Sequence, residues 1–198
     1  MSADFDKEQE EIIETIGKLL EPCTGKDKEG QRWGKFKGDV VCRVLATYIQ
    51  NRLPSGLKVV GPSVYVAGFK FPWEFDLAIV SREARPRQYT NAYDGQQTRG
   101  ILEIKKFGTI AKGSEFKEKV RARITEPFNR VTQEYPQIRP AYLAIRETVN
   151  PVKPDSIKYA KLTREALSPY PDFILQDART GAPQVGRWEA LIEYLVKK

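Results

Sequence analysis

The sequence predicts an α/β (α+β) fold, with a mixed central sheet of four or more strands flanked by helices. Three observations carry this expectation. Segments with helical and strand periodicity succeed one another as helix, three strands, helix, strand within one chain of 198 residues. The three strand segments are consecutive, which favours antiparallel pairing, while the fourth follows a helix and so allows a parallel crossover. Finally, no internal repeat, low-complexity stretch or domain linker interrupts the chain, so 1–198 reads as a single domain. Its core spans about 37–149, preceded by a helix and loop (1–36) and followed by a C-terminal appendage (150–198).

Residues 4–20 predict an amphipathic helix, with Phe5, Ile12, Ile13, Ile16, Leu19 and Leu20 as its apolar stripe and Asp4 as its cap. Pro22 to Gly34 is polar and glycine-bearing and reads as a loop. A second helix is expected over 37–53, ended by Pro54-Ser55-Gly56. The first strand is expected over Leu57–Ala67 with a break at Gly61-Pro62, the second over Trp73–Ser81 and the third over Thr98–Phe107. Between the last two lies the polar segment Arg82–Gln97, long enough that a loop there implies a task. A long helix over about Ser114–Gln133 follows. Ser114 suits its N-cap, Val120, Ile124, Phe128 and Val131 belong to its stripe, and Pro127 should kink it. Arg139–Val149 reads as the fourth strand. The remainder predicts a helix near Ser156–Leu167, a hairpin-like stretch Phe173–Val185 turning at Thr180-Gly181, and a terminal helix Arg187–Lys197. Trp33, Trp73 and Trp188 suit the core or its edge.

Composition narrows the function. The net charge is +7 and the pI about 9.3, which favours a polyanionic partner, nucleic acid before membrane. No stretch has the roughly 20 apolar residues that cross a bilayer. The acidic start Met1-Ser2-Ala3-Asp4 lacks the basic, then apolar, character of a signal peptide, so a cytoplasmic protein is expected. Cys23 and Cys42 form no metal-ligand spacing and are expected as free thiols. The chain contains no histidine. Ser-His-Asp hydrolysis, imidazole acid–base pairs and His-ligated zinc are therefore excluded.

Two strand segments carry acids inside apolar runs: Trp73-Glu74-Phe75-Asp76-Leu77-Ala78-Ile79-Val80 and Gly100-Ile101-Leu102-Glu103-Ile104-Lys105-Lys106. With period-two alternation Glu74 and Asp76 share one face, Glu103 and Lys105 share one face, and Phe75, Leu77 and Ile79 point the other way. A carboxylate in such a run is costly unless compensated, and a divalent metal is one compensating partner. Phosphodiester hydrolysis needs an activated water, charge relief on the phosphate and a stabilised leaving alkoxide, all of which Mg²⁺ can supply. Mg²⁺ takes hard oxygen ligands and keeps several waters, so Asp76 and Glu103 suffice to place it if their strands are neighbours, with the Ile104 carbonyl as a third ligand. Lys105 can orient a water or stabilise the phosphate, and a nearby metal would lower its pKa. The plain alternative is a pair of acids facing solvent or pairing with arginines.

Asp76 followed by Glu103-Ile104-Lys105, in this order of elements, resembles the PD-(D/E)XK, or restriction-endonuclease-like, nuclease superfamily. The resemblance covers over half the chain. It implies a core of helix, three strands, helix and strand, with Asp76 and Glu103 as metal ligands and Lys105 assisting the attacking water. The superfamily's further acid on the preceding helix corresponds best to Asp39, with Glu74 as the alternative. Phe75 stands where the superfamily's name pattern has proline, and the long interval between Asp76 and Glu103 requires Arg82–Gln97 to loop out.

The function implied is Mg²⁺-dependent endonucleolytic hydrolysis of DNA, with Mn²⁺ able to substitute, pictured as restriction-like and acting as a homodimer for symmetric cutting. The alternatives are a structure-selective repair or junction-resolving nuclease, a non-catalytic DNA-binding protein that keeps the fold, or a basic adaptor for an acidic protein. Lys106, Lys112, Lys117, Arg121, Arg85 and Arg87 are the expected backbone contacts, with Tyr89 beside them. Tyr89, Tyr93, Asn91, Gln96 and Gln97 are candidates to stack on bases or read their edges.

Overall fold

Apolar residues four apart define the first two helices. A computed structural model describes residues 2–21, 30–67, 73–88, 90–107, 116–146, 162, 164–177 and 180–197. In α1 (Ser2–Leu20) the residues Ile12, Ile16 and Leu20 are buried, and in α2 (Gly30–Arg52) Val41, Leu45 and Ile49 are. The second helix begins at Gly30, well before residue 37. Interior glycine costs a helix only about 1 kcal/mol, so the glycines that suggest a loop do not enforce one. Asp39 consequently lies in the third turn of α2 and not at its start.

In chain order the strands are β1 (Leu57–Val60), β2 (Val64–Ala67), β3 (Glu74–Phe75), β4 (Leu77–Ser81), β5 (Ala92–Asp94), β6 (Thr98–Phe107), β7 (Arg139–Arg146) and β8 (Asp172–Gln176). They form two sheets. The central one has the order β1-β4-β6-β7-β8, and the smaller has β3-β2-β5. In the central sheet β1/β4 and β4/β6 are antiparallel, while β6/β7 and β7/β8 are parallel. Opposing residues such as Leu77↔Leu102 and Leu102↔Ala141 set its register.

Two expected strands each split between the sheets. Leu57–Ala67 divides at Gly61-Pro62, where Gly61 takes φ 145°. A Cβ there would lie 2.5 Å from Leu77 Cδ2 and 2.7 Å from the Asp76 carbonyl oxygen, so glycine is required both by conformation and by space. Trp73–Ser81 divides at Asp76, a bend between β3 and β4. Simple alternation therefore fails at this point: Phe75 packs in a different core cluster from Leu77 and Ile79.

Arg82–Gln97 does not simply loop out. It folds back with Ala84 and Tyr93 buried, contributes β5 parallel to β2, and ends in a 3₁₀ turn, Gly95–Gln97. The close approach of Gly95 to the Tyr135 ring leaves no room for a Cβ, which would sit 2.3 Å from Cε2. Tyr135 in turn donates to the Ala67 carbonyl at 3.2 Å, tying the small sheet to the main body.

The long helix runs as α3 (Phe116–Val120), a π-helical turn (Arg121–Thr125) and α4 (Glu126–Glu134). Pro127 lies in the first turn of α4. The Glu126 N–H donates to the Arg121 carbonyl, five residues back. The widened turn accommodates the proline's missing donor without breaking the helix. The expected Ser114 cap lies outside the described residues, as do residues 147–149 of the expected fourth strand.

The C-terminal segment extends the central sheet. β8 supplies its fifth strand, and α5 (Arg187–Val196) buries Trp188, Leu191, Ile192 and Leu195. The expected hairpin is a single bridge, Gln176↔Pro183, closed by a turn in which Gly181 donates to the Asp177 carbonyl at 3.0 Å. Of the helix expected at Ser156–Leu167, residues 162 and 164–167 are described and helical, with Ala166 and Leu167 buried.

One apolar cluster joins α1, α2 and α5 to the sheet face bearing Leu77, Ile79, Leu102, Ile104 and Leu143. The other joins the π turn, α4 and the small sheet to the face bearing Ala78, Val80, Ile101, Tyr142 and Ala144. Gln9 is fully buried within α1, yet satisfied. Its Nε2 donates to the carbonyls of Leu175 at 2.8 Å and Gln184 at 3.0 Å, and its Oε1 accepts from the Trp188 N–H at 2.9 Å. Glu8 next to it receives Trp188 Nε1 at 2.6 Å and Arg52 Nε at 2.9 Å. These bonds fasten α1 to the end of α2 and the start of α5.

Candidate active site

The two acids are brought together because β4, which Asp76 immediately precedes, pairs with β6, which carries Glu103. The Asp76 N–H donates to the Leu102 carbonyl at 3.1 Å, so the bend residue is still held on the ladder. Its side chain is held as well: Asp76 Oδ2 accepts the main-chain N–H of Ile104 at 2.5 Å. Glu103 and Lys105 flank Ile104 on β6 and project to the same face by alternation.

Lys105 brings the group together. Its Nζ donates to Glu103 Oε1, reaches the Ile104 carbonyl at 3.1 Å, and lies 3.6 Å from Asp76 Oδ2. An ammonium thus sits among three hard oxygens, those of Asp76, Glu103 and Ile104. These are the donors expected to hold a metal, and their convergence on one positive charge shows that the arrangement suits a cation. Mg²⁺ needs only a few protein oxygens because it keeps several waters. Among the described residues no group of three or more Asp, Glu, Cys or His side chains converges, so Asp39 and Glu74 stand outside the Asp76–Glu103 pair.

Electrostatics mark the same place. Burial pushes the Glu103 carboxyl up to about 7; Lys105 opposes the rise, and the charges of Asp76 and Glu74 add to it. Burial pulls the Lys105 ammonium down, but Glu103 and Asp76 outweigh this and leave it above its ordinary value. Cys42, buried on α2, has its thiol pushed up to about 12 by burial, with Asp76 adding to the effect. Such perturbation by burial and specific partners is common at working sites.

Glu74 is exposed on β3 and accepts from Tyr65 OH at 3.2 Å. Tyr65 escaped sequence reasoning, because only the β2/β3 register, Tyr65↔Glu74, brings it to this neighbourhood. Asp39 is half-buried on α2.

The expected nucleic-acid contacts are dispersed. Arg121 is exposed on the π turn, and Arg85 and Arg87 are exposed before β5. Lys117, at the start of α3, pairs with Glu165 at 2.6 Å. Lys106 lies on β6, and its side chain lies outside the described residues, as do Lys112 and Tyr89 entirely. Tyr93 is buried in the small sheet's core and Asn91 donates to the Ser63 carbonyl at 2.5 Å, so both serve the fold. Gln96 and Gln97 are exposed.

Counting only the central sheet, the elements run α2, β1, β4, β6, the α3–α4 helix, β7. With Asp76 in the bend that leads into β4 and Glu103 on β6, this is a restriction-endonuclease-like fold. A solved structure of NucC from P. aeruginosa ATCC27853, in its cAAA-bound form, matches it with a TM-score of 0.62 at 16% identity, covering 98% of this chain and 90% of that one. NucC from E. coli MS115-1, also cAAA-bound, gives 0.49 at 13% identity over 81% of this chain and 69% of that chain. At these identities the likeness is one of fold. No family model and no curated protein matches the sequence.

Proposed function

We propose that this chain is a Mg²⁺-dependent endonuclease that hydrolyses phosphodiester bonds of DNA, restriction-like in its chemistry, with Mn²⁺ able to replace Mg²⁺. The observation that carries the reading is the convergence of Asp76, Glu103, the Ile104 carbonyl and Lys105 on one point of a restriction-endonuclease-like sheet. The likeness to NucC adds support at the level of fold.

Asp76, Glu103 and the Ile104 carbonyl would hold the ion, with Asp39 or Glu74 as a candidate further acid. When bound, the metal relieves charge on the phosphate and acidifies the attacking water. The chain's own residues do the rest. The Ile104 N–H holds the Asp76 carboxylate by Oδ2, so the acid that would take the ion is already oriented by the neighbouring strand. With the ion held there, Lys105 would give up the carboxylates it now pairs with and would be available to orient the water or to bind a phosphate oxygen. Lys106, Lys112, Lys117, Arg121, Arg85, Arg87 and Tyr89 are the proposed contacts to the nucleic acid, and the net charge of +7 favours it. The whole chain works as one nuclease domain, and two copies make a homodimer that cuts both strands.

Supercoiled plasmid with Mg²⁺, and again with EDTA, tests this. Metal-dependent nicking or linearisation is expected. Cleavage of junctions alone would move the assignment to a structure-selective nuclease. DNA binding with no cleavage of plasmid, junction or single strand would leave a non-catalytic binding protein.

A second reading concerns a ligand. We propose that this chain also binds cAAA, as the P. aeruginosa NucC structure does. A cavity of about 440 Å³ favours it. It lies at the opposite end of the central sheet from Asp76, lined by Leu57, Arg99, Gln137, Arg139 and Lys197. Arg99 occupies a bulge where β6 carries one more residue than β4, between Thr98↔Val80 and Gly100↔Ile79. Three cationic side chains around one cavity suit a ligand with several negative charges. Calorimetric titration of cAAA into the wild type and Arg99→Glu is expected to give binding that the variant loses; no heat with the wild type overturns the reading.

A further inference from the structure

We propose that Tyr65 is a positioning residue of the candidate metal site, holding Glu74 as an outer acceptor for the waters carried by the ion. The inference rests on reading Asp76 and Glu103 as the metal ligands.

The argument starts from Mg²⁺, which surrenders its waters reluctantly and takes few protein ligands. With two carboxylates and one carbonyl available, half of its octahedral shell remains water, and those waters need acceptors. Outer acceptors of this kind are usually fixed by a further hydrogen bond. Glu74 stands two residues before Asp76, on the far side of the bend, and β3 lies beside β6. Glu74 is exposed on β3, so burial does not fix its rotamer. Tyr65 supplies what packing does not. It faces Glu74 across the β2/β3 pair and donates its hydroxyl at 3.2 Å. The neighbouring pair Val64↔Phe75 is buried and pins that register. Tyr65 itself is half-buried and belongs to neither core cluster, and its hydroxyl bonds Glu74 at an exposed position.

Isothermal titration of Mn²⁺ into the full chain without DNA tests the role, since it reads the ion and not turnover. Tyr65→Phe and Glu74→Gln are each expected to weaken binding roughly tenfold, the lower end of what outer partners of a metal usually contribute. The double variant should be no weaker than either single one, because both act through the same carboxylate. Melting in EDTA should not distinguish Tyr65→Phe from the wild type. Wild-type affinity in Tyr65→Phe overturns the proposal, as does a loss that merely parallels a lower melting temperature in EDTA. Asp76→Ala separates the two levels: if Mn²⁺ binding survives it, the metal-site reading itself fails.

Discussion

Asp76 accepts a hydrogen bond at 2.5 Å from the main chain of Ile104, the residue between Glu103 and Lys105. The first acid is thus oriented by the strand that carries the other two groups. Any change that slides β4 against β6 disturbs all three together, whereas a side-chain change on one strand leaves the frame intact.

Glu103→Ala and Lys105→Ala should therefore remove chemistry without removing the fold. Metal-dependent plasmid cleavage is expected to fall by at least about 100-fold in each, the low end for loss of a group acting in the transition state. DNA binding in EDTA, read by mobility shift, should persist. Unchanged cleavage in both variants would mean the site lies elsewhere.

The metal-free protein should lose stability as pH rises through neutrality. Folding raises the Glu103 carboxyl from 4.5 to about 7, mainly through burial, so the native state favours the protonated acid. That contribution is whole below about pH 4.5 and disappears as pH passes 7. The loss from this group is at most about 3 kcal/mol. Denaturant midpoints in EDTA at pH 5.5 and 8 measure it, and Glu103→Gln should flatten the difference. Added Mg²⁺ should restore stability at pH 8, because an ion bound only by the native state favours it.

Gly61→Ala should damage the site from a distance. The new methyl would lie 2.7 Å from the Asp76 carbonyl oxygen and 2.5 Å from Leu77 Cδ2, at a φ of 145° that alanine rarely adopts. Relief requires the bend to move, and displacements near 1 Å cost about 100-fold in rate. Both the denaturant midpoint and the cleavage rate should drop; a fully active, equally stable variant contradicts this account of the bend.

Gln9→Ala leaves the Trp188 N–H and the carbonyls of Leu175 and Gln184 without this partner in a buried setting. A cost of about 2–4 kcal/mol is expected. Equilibrium denaturation at neutral pH provides the test, and a change below 1 kcal/mol would show that water replaces the amide.

The sequence carried the order of elements because that order is written in periodicity: stripes such as Ile12, Ile16, Leu20 and Val41, Leu45, Ile49 are local signals. It also carried the grouping of Asp76, Glu103 and Lys105, whose side chains the structure brings together, since charged residues inside apolar strands stand out. The sheet switch at Asp76 left no such mark. Alternation runs unbroken through Trp73–Ser81 on paper, and only tertiary packing sends Phe75 to one core and Leu77 to the other. Arg82–Gln97 hid β5 for a similar reason: three residues are too short to show a period, and their partner is β2, distant in sequence. Glycines at 30 and 34 suggested a loop and lost to helix propagation, which moved Asp39 inward along α2. The Tyr65–Glu74 pair depends on register, which a single strand does not reveal.

Val60 pairs with Ala78, so the backbone leaves the central sheet at Gly61 and returns almost beside its point of departure. β1 and β4 are the two arms of one hairpin, and β2 with β3 is an elaboration of its tip. That excursion is clamped at its far end as well, because Val64, Val66 and Phe75 are buried in one core with the π turn and α4. Asp76 sits in the neck between the packed tip and the ladder of the central sheet, so the acid is gripped from both sides.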